Sequence, residues 1–262
     1  MTTQKKSALL PVILVLSAVF AILILFLMGS LFGLRYLSLS DGVHFLGRTD
    51  GKTPIRGTVY YAQGSAKYDS AAATLTYDNG DVYTGPVSDL QPHGQGKMVY
   101  ATGDVFEGSF DHGALTGTGT FRYASGAVYT GELRDGKKQG YGEIRYADGS
   151  AYTGYFTDNM KNGTGTWTDA NGDRYEGAFT DDRKNGQGTY TWANGDSYSG
   201  AFLNDVRQGQ GTYTWANGDS YTGAFRENRM NGQGTYTWKA TDEGEVRSYT
   251  GYFKDGKITL EP

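Results

Sequence analysis

The sequence predicts an all-β protein, an elongated antiparallel array of β-hairpin repeats preceded by one transmembrane α-helix. Three observations predict it. An aromatic-x-Gly motif recurs at a fixed step of 23 residues along most of the chain. Around each motif the residues alternate with period two, which is the period of a strand. Residues 7–34 are 28 successive positions without a formal charge, bounded by Lys6 and Arg35. The composition agrees: 40 glycines and 21 tyrosines in 262 residues point to a repeat architecture, and the aromatic share opposes disorder.

Taken in order, residues 1–6 form a short tail containing Lys5 and Lys6, and residues 7–34 are expected to span a membrane. A spanning helix needs about 20 apolar residues, and Pro11 stands near its start, where a missing donor costs little. Ser38 and Ser40 offer a cleavage-like small-x-small pair, but a signal peptide's apolar region is usually only about 7–15 residues, so the anchor reading is preferred. Gly29-Ser-Leu-Phe-Gly33 fits a small-xxx-small spacing and is read as the end of the helix rather than a pairing face. Lys5, Lys6 and the α-amino group face no acid on the short side, while Arg35 and Arg48 flank the other. The positive-inside rule therefore places the N-terminus inside and the repeats on the extracytoplasmic side. Residues 35–56 carry breaker pairs such as Asp41-Gly42 and Asp50-Gly51, and are expected to be a juxtamembrane linker with His44 solvated in it.

The repeats follow. Tyr83, Phe106, Tyr129, Tyr152, Tyr175, Tyr198 and Tyr221 lead seven units of 23 residues over 83–248. Tyr249 comes 28 residues after Tyr221, because 239–248 hold an insertion of five. In the unit from Tyr175 to Ser197, Tyr175, Gly177 and Phe179 fall on one face, as do Gly188, Tyr190 and Trp192. Asn194-Gly195 is expected to make the tight two-residue hairpin turn, and Asp181–Asn185 the longer connection. Glycines on the aromatic face leave room for a neighbouring ring to lie over the backbone. One hairpin is marginal alone, so each unit depends on stacked neighbours. Gly57-Thr-Val-Tyr60 repeats Gly80-Asp-Val-Tyr83 at the same step, which makes 57–82 a degenerate capping repeat; 249–262 reads as a C-terminal half-repeat.

Tyr198-Ser-Gly200-Ala-Phe202, Gly209-Gln-Gly211 and Trp215-Ala-Asn-Gly218 resemble the MORN (membrane occupation and recognition nexus) repeat, and the resemblance covers about 57–256. Asp169 departs from it where other copies place Tyr or Trp, as do Val87 and Leu133 where most have Phe. The resemblance implies a curved, elongated β-meander with roles in scaffolding, dimerisation or membrane-proximal tethering, and phosphoinositide binding in some members.

Composition excludes several chemistries. There is no cysteine, hence no disulfide, thiolate metal site or cysteine nucleophile. Setting Lys5, Lys6 and Arg35 aside leaves 21 basic against 28 acidic residues, a net −7 over 36–262, which opposes nucleic acid and disfavours phosphoinositide. Most acids sit in turns, and neither Asp78–Asp81 nor Asp169–Asp173 has the 12-residue spacing of an EF-hand loop. His93 and His112 lie in the connections of adjacent repeats at different repeat positions and are read as exposed loop residues. No catalytic, cofactor or metal site is therefore expected. The acidic turn edge and the basic residues Lys137, Lys138, Arg183, Lys184, Arg207 and Arg229 on the other edge are read as solvated sheet margins. The candidate interaction surface is the aromatic row Tyr190, Trp192, Tyr213, Trp215, Tyr236 and Trp238, whose first duty is packing. The sequence thus reads as a non-enzymatic membrane-anchored scaffold binding a protein partner or itself, with a glycan- or lipid-headgroup-binding ectodomain as the rival.

Overall fold

A computed structural model describes residues 19–20, 29, 32–39, 42–240 and 245–260. The expected span 7–34 lies almost wholly outside them, as do Lys5 and Lys6. No helix among the described residues is long and apolar enough to cross a membrane. The chain divides into two compact units, one of residues 1–102 with 111–113, the other of 103–110 with 114–262.

In the first unit the expected linker is strand. Leu34–Ser38, which contains Arg35, pairs with His44–Asp50, and that pairs with Thr53–Tyr60. The reason is an aromatic-x-Gly pair outside the 23-residue step. Phe45 is fully buried, and its ring lies over Gly47 and the cross-strand Gly57, where any Cβ would collide with Phe45 Cζ at 2.7 Å. His44 is correspondingly no solvated loop residue; it is half-buried, stacked on Tyr36 at 5.7 Å, with its Nδ1 buried and unpaired. The capping repeat is also corrected in register. Val59, Ala66 and Leu75 turn inward and Tyr60 is exposed, so Tyr60 does not take the place of Tyr83. Val87–Ser88 and Gln91–Pro92 form a separate small ribbon ahead of Gly94–Val99.

In the second unit each strand from Ala114–Arg122 to Lys257–Thr259 pairs antiparallel with the next. The period-two reading holds: Tyr175 and Phe179 are buried while Arg174, Glu176 and Thr180 are exposed. The turns are the reverse of expectation. Asp181 and Asp182 have φ of +48° and +68° between the paired residues Thr180 and Arg183, which is the two-residue turn with both central residues left-handed. At the other end, Gly195 N–H donates to Trp192 O and Trp192 N–H to Asp196 O, both at 2.9 Å, with only Gly195 left-handed, at φ +93°. That is a three-residue loop closing on a glycine bulge. The Asn-Gly pair misled because a type I turn followed by a left-handed glycine uses the same two residues.

The stretch after each two-residue turn is a bulge. Gly177 pairs with Gly188 and Phe179 with Lys184, so Ala178 faces three residues. The insertion at 239–248 lengthens strands instead of adding only a loop: pairing continues through Trp238↔Arg247 and Lys239↔Val246.

Candidate interaction surface

The core of the second unit is a ladder of rings. Tyr175 lies against Phe179 of its own strand and Phe202 of the next repeat, both at 5.1 Å and edge-on (88° and 81°). Tyr198 repeats this with Phe202 at 5.2 Å and Phe225 at 4.9 Å, and Tyr221 with Phe225 and Phe253. Edge-to-face contact is the arrangement that ring quadrupoles favour. Each tyrosine also closes its own bulge: Tyr175 Oη donates to Ala178 O at 3.0 Å and Tyr198 Oη to Ala201 O at 3.0 Å. The ring reaches that carbonyl by lying across two glycines, one on each strand.

Beside this ladder the structure brings all six predicted surface aromatics into one continuous row. Tyr190 meets Trp192 at 4.6 Å, Trp192 meets Tyr213 at 5.2 Å, and Tyr213 meets Trp215 at 4.8 Å. Trp215 meets Tyr236 at 5.4 Å, and Tyr236 stacks on Trp238 at 5.6 Å. All six are half-buried. The row is interrupted at Asp169, whose carboxylate instead accepts from the N–H groups of Asn171 and Asp173.

The turn aspartates fix the row. Asp173, Asp196 and Asp219 accept the hydroxyls of Tyr190, Tyr213 and Tyr236 at 2.8, 2.6 and 2.9 Å. The other oxygen of Asp173 and of Asp196 accepts the N–H of Ala193 and Ala216 in the next turn, each at 2.9 Å. Burial, then the Asp196 carboxylate, pushes the Tyr213 phenol up to about 12. The Tyr213 hydroxyl holds Asp196 below the usual carboxylate range. The acidic turn edge is thus committed to holding the repeats together.

Three bases of the opposite edge that the sequence reads as margin, Lys138, Lys184 and Arg207, belong with Lys161 to a second row. Lys138, Lys161, Lys184 and Arg207 recur at the 23-residue step, and they lean over the rings instead of into solvent. Lys161 Nζ is 4.5 Å from the Trp167 centroid, Lys184 Nζ 5.5 Å from Tyr190, and the Arg207 guanidinium 5.2 Å from Tyr213 and 5.3 Å from Trp192. Burial lowers the proton affinity of Lys138, Lys161 and Arg207. Lys137, Arg183 and Arg229 stay on the rim, Lys137 paired with Asp158 at 2.9 Å and Arg229 with Asp255 at 3.4 Å. Where the two rows meet, Arg207, Tyr213, Trp215, Phe225 and Met230 line a concavity of about 240 Å³. The cation row was legible as a period; what the period could not show was that a strand residue beside a bulge points inward.

The first unit holds an arrangement that the sequence reading did not anticipate. His93 and His112 are brought ring to ring at 5.3 Å, with the Asp111 carboxylate 3.4 Å from His93 Nδ1 and 2.7 Å from His112 Nδ1.

Comparison with known proteins gives the fold its family. The MORN repeat matches seven successive segments, 91–105, 106–128, 129–151, 152–174, 175–197, 198–220 and 221–240. The chain belongs to the MORN repeat family. No match was found among curated proteins. Among solved structures it is similar to the SAS-4 (dCPAP) TCP domain of Drosophila melanogaster in complex with a proline-rich motif of Ana2 (dSTIL), at 16% identity over 78% of this chain and 94% of that one, with a TM-score of 0.35. It is similar also to the TCP10 domain of Danio rerio CPAP in complex with a peptide of Danio rerio STIL, at 14% identity over 84% and 99%, with a TM-score of 0.25.

Proposed function

We propose that this chain is a non-enzymatic, membrane-anchored scaffold whose repeat sheet presents an extended surface to a segment of a protein partner or of a second copy. The observation that carries the reading is the row from Tyr190 to Trp238 with Lys184 and Arg207 beside it: large rings, half-buried, rigidly held and still accessible. Rings and guanidinium groups of this kind dominate protein interfaces. Successive ring pairs are two strands apart, about 9.6 Å. A polyproline-type segment advances about 9.3 Å per turn, so each turn of an extended partner meets an equivalent ring pair. Membrane attachment rests on the uncharged run 7–34 alone, and the extracytoplasmic placement of the repeats on Lys5 and Lys6.

The test is binding of the detergent-solubilised full chain to parallel arrays of extended peptides, glycans and anionic vesicles. Peptides should be retained, and retention should fall at least tenfold with Trp192→Ala plus Trp215→Ala. Retention of glycans or vesicles in place of peptides would overturn the reading in favour of a ligand-binding ectodomain.

A further inference from the structure

We propose that His93, Asp111 and His112 form a binding site for a divalent transition-metal ion of the zinc class. Two imidazoles and a carboxylate are the donor set such ions select, with one or more positions left open for water or a partner's side chain. The donor atoms of the three residues lie within 4.8 Å of one another. Donors around a tetrahedral ion at about 2.0–2.1 Å stand roughly 3.3 Å apart, so small rotations of half-exposed side chains close the site.

The backbone holds these residues in place. His112 and Gly113 form a two-residue turn, at φ +44° and +87°. Gly113 N–H donates to Pro92 O at 2.9 Å, and His93 N–H to Pro86 O at 3.0 Å. The turn and the 86–93 loop are therefore docked before any ion arrives.

The other repeats serve as internal controls. The register that brings His93 to His112, 19 residues on, brings Gln139 to Asp158 and Gln208 to Glu227, whose N–H groups donate to the glutamine side chains at 3.2 and 3.3 Å. At those junctions the position of Asp111 is held by Thr157 and Arg226. The chain has three histidines, and two of them stand at this one junction with a carboxylate between them. The repeat itself requires none of the three, since the hydrogen-bonded alternative serves elsewhere.

The same comparison supplies variants that keep the fold. His93→Gln and His112→Asp each write into this junction the residue that another junction already carries. The experiment uses the untagged full chain in detergent, freed of metal, with Zn²⁺ affinity read by competition with a chromogenic chelator and Co²⁺ binding by visible absorption. The expected result is one ion per chain, with affinity weakened roughly tenfold or more by either variant or by Asp111→Asn, and unchanged by His44→Gln. Failure of the native chain to compete for micromolar Zn²⁺, or undiminished binding by His93→Gln and His112→Asp, would overturn the proposal.

Discussion

The ring of Tyr198 occupies the space that a side chain at Gly211 would need. A Cβ built on Gly211 falls 2.5 Å from Tyr198 Cε2 and 2.6 Å from Cζ. A Cβ on Gly200 of the facing strand is equally excluded, since it would fall 2.6 Å from the Gly211 Cα. The glycines of the motif are therefore a steric requirement of the ring ladder.

Gly211→Ala and Gly211→Val should destabilise strongly, because the ring must leave its place between Phe202 and Phe225. Overpacking typically costs about 1–3 kcal/mol, with valine at or beyond the upper end. Thr212, on the opposite face, shares only a 3.0 Å contact with Thr222, and Thr212→Val should stay within about 0.5 kcal/mol. Urea melts of the three variants check the face assignment, and equal losses would contradict it.

Tyr198→Phe isolates the hydroxyl. It removes the 3.0 Å bond to Ala201 O while keeping the ring, at a cost of about 0.5–1.5 kcal/mol. Tyr198→Ala, which also empties the ladder, should cost about 3–5 kcal/mol. Phe106 holds the same repeat position within this chain and is fully buried, so the ring is the larger part. A phenylalanine variant as damaging as alanine would contradict that ordering.

The turn assignment is tested by glycine. Asn204 has φ +49°, so Asn204→Gly should be neutral or mildly stabilising and Asn204→Ala should cost about 1–2 kcal/mol. Asn194 is not left-handed, and its side chain accepts the Asp196 N–H at 3.0 Å; Asn194→Gly should therefore destabilise. Thermal melts that invert this order would restore the Asn-Gly pair as the two-residue turn.

How the two turns were misread shows where sequence pattern stops. Face and period were legible because both strands obey a single constraint, rings inward over glycine. Which of two polar connections is tighter depends on backbone signs of φ, and Asp181-Asp182 carries no glycine to announce them. Phe45-x-Gly47 was missed because it stands off the 23-residue step, although its chemistry matches that of the repeats. The six-ring row was readable from spacing alone. The histidine junction was not, since its two histidines are 19 residues apart and meet ring to ring only once the strands of adjacent repeats are paired.

Alkaline pH should unfold the array within a defined window. Tyr152, Tyr175 and Tyr213 are each pushed up to about 12, chiefly by burial. A raised folded value means the proton is held more tightly in the folded state. The stabilisation is complete below the unfolded value near 10 and is lost as pH rises from there through about 12. Tyrosinate absorbance and circular dichroism should change together in that range. Gradual ionisation starting near pH 10 with the fold intact would contradict the buried ladder.

The central claim, that the face bearing the aromatic row is the one that meets a partner, is tested most directly by site-specific photocrosslinking. A photoreactive residue placed at Trp215 in the full chain, in the cells that make it, should give a discrete crosslinked species, whereas the same residue at Thr212 on the opposite face should give none. Crosslinking from Thr212 alone, or equally from both positions, would contradict the account.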